Sequence, residues 1–392
     1  MGKPPIPDGP TSITASWLKQ ALSAGVASDL PALKEVDVEV VGAGVGLMGE
    51  VLRCRLTYED DAPSAPDSVI VKLPSPHPKN LKMSKLLQLY KREYSFYIRL
   101  APHVPIHVAA LYYGDFEEKT HRFVLVLEDM RGMETGNRIE GATERQAKVA
   151  IRAIARLHGS YWNKVDRPPV AGLHYSLHPK YRPLVQLAYL RCLVPALKNF
   201  GDHFSEDMRR LAEAYGPRIA DHMADVAAQP LTFGHGDFLL DNMFFGPDGS
   251  DDFAVIDWQV SGISSGLYDV ASFMSDSVST ETRRKIERET LREYHDVLCS
   301  AGVKEFSFEA CWRLYRQNML GRLLAPIFVC GGLDLSNERG RALAENGLRK
   351  TLAAVEDLEA GEFLPTPRPL YTPANAFSIL SRCAYKLYKT VR

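Results

Sequence analysis

The sequence predicts an α+β protein in two parts: an N-terminal antiparallel five-stranded sheet with one long helix, then a mainly helical C-terminal part. Three observations carry this. Apolar alternation of period two recurs five times before residue 128, and a helical pattern long enough to matter falls among those strands once. Beyond residue 129 the apolar spacing is that of helices nearly throughout. The β-like interruption there is Leu231–Gln259, LTFGHGDFLLDNMFFGPDGSDDFAVIDWQ. Strands that follow one another without a helix between each pair describe an antiparallel sheet and not a βαβ array.

Residues 14–24 read as a short amphipathic helix. Thr14 can cap it, Trp17, Leu18, Ala21 and Leu22 share a face, and Gly25 can end it. Residues 36–40 alternate strictly, as a half-buried strand does. GAGVGLMGE (42–50) then leads into the alternating VLRCRLTY (51–58), a hairpin with a glycine tip. At Gly44 and Gly46 the backbone can come close to a phosphate because no side chain intervenes. No Gly-Lys-Ser/Thr follows, so this is not a Walker loop.

SVIVKL (68–73) is the third strand, with Lys72 inside its apolar alternation. An inward lysine is costly without a partner. Two readings stand: an edge-strand lysine that reaches solvent, or the lysine that holds nucleotide phosphates. One long helix is expected at about 80–100, with Leu86, Leu89, Tyr90, Tyr94 and Tyr97 on its buried face. Glu93 follows Tyr90 by three positions and can reach the same side, or stay a solvated helix charge. Two more strands follow near 108–116 and 123–127. The change from apolar strand to Glu128-Asp129-Met130 and RGMETGN places a domain boundary: residues 1–128, then residues 129–392.

Helical patterns then run over 143–162, 183–199, 205–227, 281–300, 308–329 and 337–358. The first opens on a threonine cap and carries Ala147, Ile151, Ile154, Ala155 and His158. A last amphipathic helix at 374–391, with Arg382, Lys386 and Lys389, is expected to pack on the C-terminal part rather than on a membrane.

Composition excludes several classes. Of 392 residues, 45% are hydrophobic and 24% charged, which is ordinary for a globular chain of two domains. Basic and acidic residues number 47 and 48, a net charge of −1, so no global basic excess points to nucleic acid. The six cysteines (54, 192, 299, 311, 330, 383) include no Cys-x-x-Cys pair, so neither a zinc site nor a disulfide framework is expected, and a cytoplasmic location is. The N-terminus lacks a signal-peptide pattern, and Ile6 breaks the myristoylation motif that Gly2 would begin. No apolar run approaches the ~20 residues that span a bilayer. The expected partner is therefore a small molecule.

The chemistry concentrates in Leu231–Gln259. Asp237 lies in HGD, Asn242 follows five positions later, and Asp257 lies in AVIDW. A strand, a polar loop and a second strand would carry all three to one rim. Such a set suits transfer of the γ-phosphoryl group of ATP to a hydroxyl. The polyanion needs Mg2+ and a cation, and Mg2+ wants hard oxygen ligands. The acceptor hydroxyl needs a carboxylate to orient it and take its proton. Asp237 suits the base, and Asn242 and Asp257 suit the Mg2+ ligands. Two carboxylates repel by about 4 kcal/mol at ~4 Å and intermediate dielectric, which favours a bound cation.

HGD-x-x-x-x-N (235–242) followed by I-D-W-Q (256–259) resembles the aminoglycoside phosphotransferase and choline kinase superfamily, whose fold is protein-kinase-like and two-lobed. The run VKLP, REYSFY, LVLEDM, HGDFLLDN, IDWQ looks most like its ecdysteroid-kinase-like branch. The resemblance implies that Lys72 binds nucleotide phosphates and Glu93 pairs with it. It implies that backbone groups near Glu128 and Met130 hold adenine, and that IARLH (154–158) is the helix before the helical insertion. Asp269, in YDVA, would brace the catalytic loop, or only cap a helix. His235 is expected to bond the loop backbone and Asp241 to face solvent. Trp258 and Gln259 stand where protein kinases carry Phe-Gly, and no Ala-Pro-Glu anchor follows, so activation-loop switching is not implied.

The expected activity is ATP-dependent O-phosphotransfer to a small alcohol. Residues 308–333 hold one acid and three arginines among large apolar residues, a poor match to a polycationic aminoglycoside. That favours a neutral, partly apolar acceptor of steroid-like character. The alternatives are an aminoglycoside- or choline-type phosphotransferase, or a nucleotide-binding pseudokinase scaffold. The intact Lys, Glu, Asp, Asn, Asp set speaks against the scaffold.

Overall fold

The computed structural model describes residues 3–25, 31–41, 48–60, 65–333, 335 and 338–366. Gly44, Gly46 and the helix expected at 374–391 lie outside them. The chain divides into two compact units. One contains the residues up to Glu134 together with Phe244–Ser261, the other Thr135–Met243 together with the residues from Gly262 on. The sequence places one break, after residue 128; the structure places the first crossing at Glu134 and returns Phe244–Ser261 to the first unit.

The first unit opens on α1 (Ala15–Ala24). Thr14 Oγ1 accepts the Trp17 N–H as its cap, and Trp17, Leu18, Ala21 and Leu22 are its buried face, as the spacing predicts. Strands β1 (Leu33–Val41), β2 (Gly49–Tyr58) and β3 (Ser68–Pro74) follow. After two helices come β4 (Leu111–Glu117) and β5 (Arg122–Glu128). The five strands form one antiparallel sheet in the order β1-β2-β3-β5-β4. Successive strand residues face opposite sides. Val69, Val71 and Leu73 of β3, with Val124 and Val126 of β5, pack with Trp17, Leu18 and Leu22 of α1 in one core. Lys72 therefore faces the other side of the sheet.

The one long helix expected at 80–100 is instead two. Helix α2 (Pro78–Leu87) ends at Gln88, which adopts a left-handed conformation (φ 54°), and α3 (Leu89–Arg99) starts anew. The break changes the helical phase. Leu89, Tyr90 and Tyr97 are buried as expected, but Leu86 is 75% exposed and Tyr94 is half-buried. Tyr90 stacks on Phe123 of β5, with ring centroids 4.4 Å apart. That contact sets α3 on the face of the sheet to which Lys72 points.

At the crossing lies a two-residue strand, β6 (Glu134–Thr135). The second unit begins with α4 (Glu144–Tyr161), opened by a capping box in which Thr143 and Gln146 exchange hydrogen bonds. Helix α5 (Arg182–Phe200) matches its expected span. The single helix expected at 205–227 is divided at Gly216-Pro217 into α6 (Glu206–Tyr215) and α7 (Ile219–Ala227). Then come β7 (Thr232–Gly234), β8 (Met243–Phe245), β9 (Phe253–Val255) and β10 (Gly262–Ser264), of which β7 and β10 pair antiparallel. Helix α8 (Gly266–Ser272) runs into one π-helical turn, Phe273–Ser277. The remainder is helical: α9 (Thr280–Ser300), α10 (Phe308–Gly321), α11 (Leu324–Gly332) and α12 (Glu338–Asp357). The helix expected at 308–329 is thus also two. Among the described residues, no helix is long and apolar enough to cross a membrane.

Candidate functional site

In the first unit the site is built on β3. Because β3 lies between β2 and β5, Lys72 is not on an edge strand, and its side chain is only 13% exposed. A buried ammonium needs compensation. It receives it twice: Lys72 Nζ donates to Glu93 Oε1 at 2.6 Å and to Asp257 Oδ1 at 2.7 Å. Glu93 comes from α3 and is 1% exposed, so it is not a solvated helix charge. Burial is the largest influence on Lys72 and would depress it, but the two carboxylates outweigh it and hold the ammonium above its ordinary range. Burial pushes the Glu93 carboxyl up, with Lys72 opposing and Asp257 adding to the rise.

Asp257 lies two residues past the end of β9 with φ 67°, in the left-handed region. Aspartate tolerates that region better than most residues. The turn aims one carboxylate oxygen at Lys72, while Oδ2 accepts the Gln259 side-chain amide at 3.0 Å. The segment after Asp257 is fastened to α3, the helix that carries Glu93. Trp258 is fully buried and stacks on Phe96 with centroids 3.9 Å apart. The Trp258 indole N–H donates to Val255 O at 3.2 Å. The Arg92 guanidinium donates to the carbonyls of Val260 and Ser261. The relative positions of Lys72, Glu93 and Asp257 are thus set by packing as well as by charge.

The expected adenine-binding stretch ends β5. Glu128 N–H donates to Ala110 O, and Ala110 N–H donates to the Glu128 carboxylate, so both groups serve the sheet margin. Met130 is 7% exposed. Between them, Asp129 accepts Arg53 Nε and Ser68 Oγ, each at 2.8 Å, and forms an ion pair with Arg131, whose Nε lies 3.1 Å away. Burial, the largest influence, would raise the Asp129 carboxyl; these partners outweigh it and hold it below its ordinary value. Sequence reading passed over this anchor. Its signal was an acid directly after an apolar strand, opposite an arginine in an alternating strand.

In the second unit, Asp237 and Asn242 share one loop. Gly236 turns the chain with φ 83°, a conformation that favours glycine. Asn242 Nδ2 donates to Asp237 O at 3.0 Å and to Asp237 Oδ2 at 3.2 Å. With its nitrogen committed to Asp237, the Asn242 side chain has its oxygen left to offer a cation. Carboxylate and side-chain amide oxygens are the hard donors that Mg2+ requires.

The loop hangs from Asp269. This carboxylate, 1% exposed in the first turn of α8, accepts the His235 N–H at 2.7 Å and the Gly236 N–H at 2.8 Å. Its Oδ2 also lies 3.2 Å from His158 Nε2. Burial is the largest influence and would raise Asp269, but the His158 ring, nearby His235 and the Gly236 amide outweigh it and hold the carboxyl below its ordinary range. Asp269 therefore braces the loop and is more than a helix cap. His235 is fully buried, and its Nδ1 accepts the Asp237 N–H at 3.3 Å, so it bonds the loop backbone as expected. Asp241 departs from expectation: instead of facing solvent it accepts the Arg138 N–H at 2.8 Å.

The model of the ecdysteroid kinase-like family matches residues 43–304, more than half of the chain. The chain belongs to the ecdysteroid kinase-like family. Its kinase-like α+β fold is shared with a solved structure from outside that family. Among solved structures it resembles a Ralstonia eutropha protein designated an aminoglycoside phosphotransferase (TM-score 0.50, 14% identity, covering 88% of this chain and 97% of that one). It is also similar to an ethanolamine kinase of Plasmodium vivax (TM-score 0.48, 12% identity, 81% of each chain). A choline kinase of Streptococcus pneumoniae aligns as well (TM-score 0.45, 14% identity, 88% and 98%). No curated protein matches the sequence significantly.

Proposed function

We propose that this member of the ecdysteroid kinase-like family is an ATP-dependent O-phosphotransferase whose acceptor is a small, partly apolar alcohol of steroid-like class. The observation that carries the proposal is the triad of Lys72, the buried Glu93 and Asp257, one ammonium between two carboxylates. A lysine held this way on a central strand is oriented and charged, which is what binding a polyphosphate demands. In this reading Lys72 holds nucleotide phosphates and Glu93 fixes its direction. Backbone groups near Glu128 and Met130 receive adenine, and Gly44 and Gly46 approach the phosphates. Residues 1–128 form the nucleotide-binding lobe, and residues 129–392 the catalytic and acceptor-binding lobe.

Asp237 is the base that orients the acceptor hydroxyl and takes its proton. Its carboxylate is held by Asn242, and its loop by Asp269. Asn242 and Asp257 are the groups that would hold Mg2+, which when bound supplies positive charge to the phosphoryl oxygens. The steroid-like acceptor rests on the composition of α10 and α11, where one acid stands against three arginines within residues 308–333.

The test is transfer of labelled γ-phosphate from Mg-ATP across four acceptor classes: steroid alcohols, choline, sugars and aminoglycosides. The expected result is transfer to steroid alcohols above the other three. Preference for aminoglycosides or choline would overturn the acceptor assignment. Mg-dependent ATP binding with no acceptor phosphorylated would favour a pseudokinase scaffold instead.

A further inference from the structure

The last residue before Asn242 is tied to a helix more than a hundred positions later in the chain. Asp241 Oδ1 accepts the Arg138 N–H at 2.8 Å. The Arg138 guanidinium lies between two carboxylates, with Nε 3.4 Å from Asp241 Oδ2 and Nη1 3.6 Å from Asp276 Oδ2. On the other side of Arg138 stands α12: Lys350 Nζ donates to Arg138 O at 3.0 Å and to Asp276 O at 3.1 Å. The next residue along the π-helical turn, Ser277, completes the knot, because its Oγ accepts the Leu240 N–H at 2.9 Å. The Asp237–Asn242 loop is therefore held at Leu240 and at Asp241, on the side opposite Asp269.

Lys350 is the informative member. It is 8% exposed, and both of its hydrogen bonds go to backbone carbonyls. A buried ammonium spent on two carbonyls is a costly way to fasten helix to loop if stability alone were at stake. It gives directional control where apolar packing would give none. Arg138, gripped at its N–H by Asp241 and at its carbonyl by Lys350, transmits that direction to the residue next to Asn242.

We propose that Asp241, Arg138 and Lys350 form a clasp by which α12 positions the Asp237–Asn242 loop, Lys350 acting as a positioning residue. Its catalytic meaning rests on the functional reading above; its hold on the loop does not. Lys350→Met removes the link without touching the loop itself, Lys350→Arg keeps the donors, and Asp241→Ala cuts the clasp from the other end.

Amide hydrogen exchange of the nucleotide-free protein reads the loop directly. The clasp predicts that exchange at residues 238–243 rises about tenfold or more in Lys350→Met and Asp241→Ala, returns towards wild type in Lys350→Arg, and stays unchanged in β1–β5. With Mg-ATP as the probe, kcat for ATP turnover should fall about tenfold in Lys350→Met while KM for ATP stays within about twofold. An unchanged loop, acceleration spread equally over α4 and α9, or a loosened loop with unchanged kcat would each overturn the proposal. If the exchange result holds and the wild type neither binds nor turns over Mg-ATP, the functional reading falls, with the catalytic meaning of the clasp, while its hold on the loop stands.

Discussion

Two ionisable groups show how much single residues decide here, and in opposite ways. Lys72 is tolerated inside the first unit because two carboxylates meet it; removing it would leave the buried Glu93 facing Asp257 with no ammonium between them. His222 on α7 is buried and stays neutral instead. Burial, the largest influence, pulls its ring down to about 4. Both ring nitrogens are engaged in a neutral pattern: Nδ1 accepts from the Tyr215 hydroxyl at 3.1 Å, and Nε2–H donates to Gln317 O at 3.0 Å. The unfolded chain, with an ordinary histidine near 6.5, binds more protons than the fold between that pH and about 4. The stability tied to His222 is therefore complete above pH 6.5 and is lost as pH falls towards 4, by on the order of 3 kcal/mol. Urea unfolding of wild type and His222→Asn across pH 4–8 checks this, since the variant should lose that part of the pH slope. Parallel slopes would contradict it.

At the scale of elements, the breaks within helical stretches are what apolar spacing did not reveal. Leu86, Leu89, Tyr90, Tyr94 and Tyr97 keep a helical period, but a period does not report a single residue that leaves the helical region, as Gln88 does. Gly216-Pro217 carried a stronger local signal, since proline is tolerated in a first turn and not within a helix. By contrast Thr14, Thr143 and Gly25 were legible as caps because their chemistry acts within three or four residues. The same distinction explains the site. The spacing of Asp237 and Asn242 and the strand position of Lys72 are local patterns and can be read. Asp129 with Arg53, Trp258 with Phe96, and Asp241 with Arg138 join residues distant in sequence, and nothing in either member's surroundings names its partner. Gln88 offers a direct test. It is exposed with φ 54°, so Gln88→Gly relieves left-handed strain and should stabilise the protein by roughly 0.5–1 kcal/mol in urea unfolding. A loss of stability would mean that the α2–α3 break is not set at this residue.

For the whole molecule, the chain order of the units matters more than their sizes. The first unit takes its last segment, Phe244–Ser261, from beyond the loop that carries Asp237 and Asn242. The sequence motif HGD-x-x-x-x-N followed by I-D-W-Q is thus divided between units: its first half is braced by Asp269 in the second, and its second half is locked to Lys72 and α3 in the first. The match to the ecdysteroid kinase-like family, residues 43–304, spans all of these parts. The central claim is that Asp237 serves as the base in phosphoryl transfer. It is tested most directly by measuring γ-phosphate transfer from Mg-ATP to the best steroid-like acceptor with wild type and Asp237→Asn side by side. The account predicts a fall in kcat of roughly 10²–10⁴-fold with an unchanged unfolding midpoint; near-normal turnover by Asp237→Asn would contradict it.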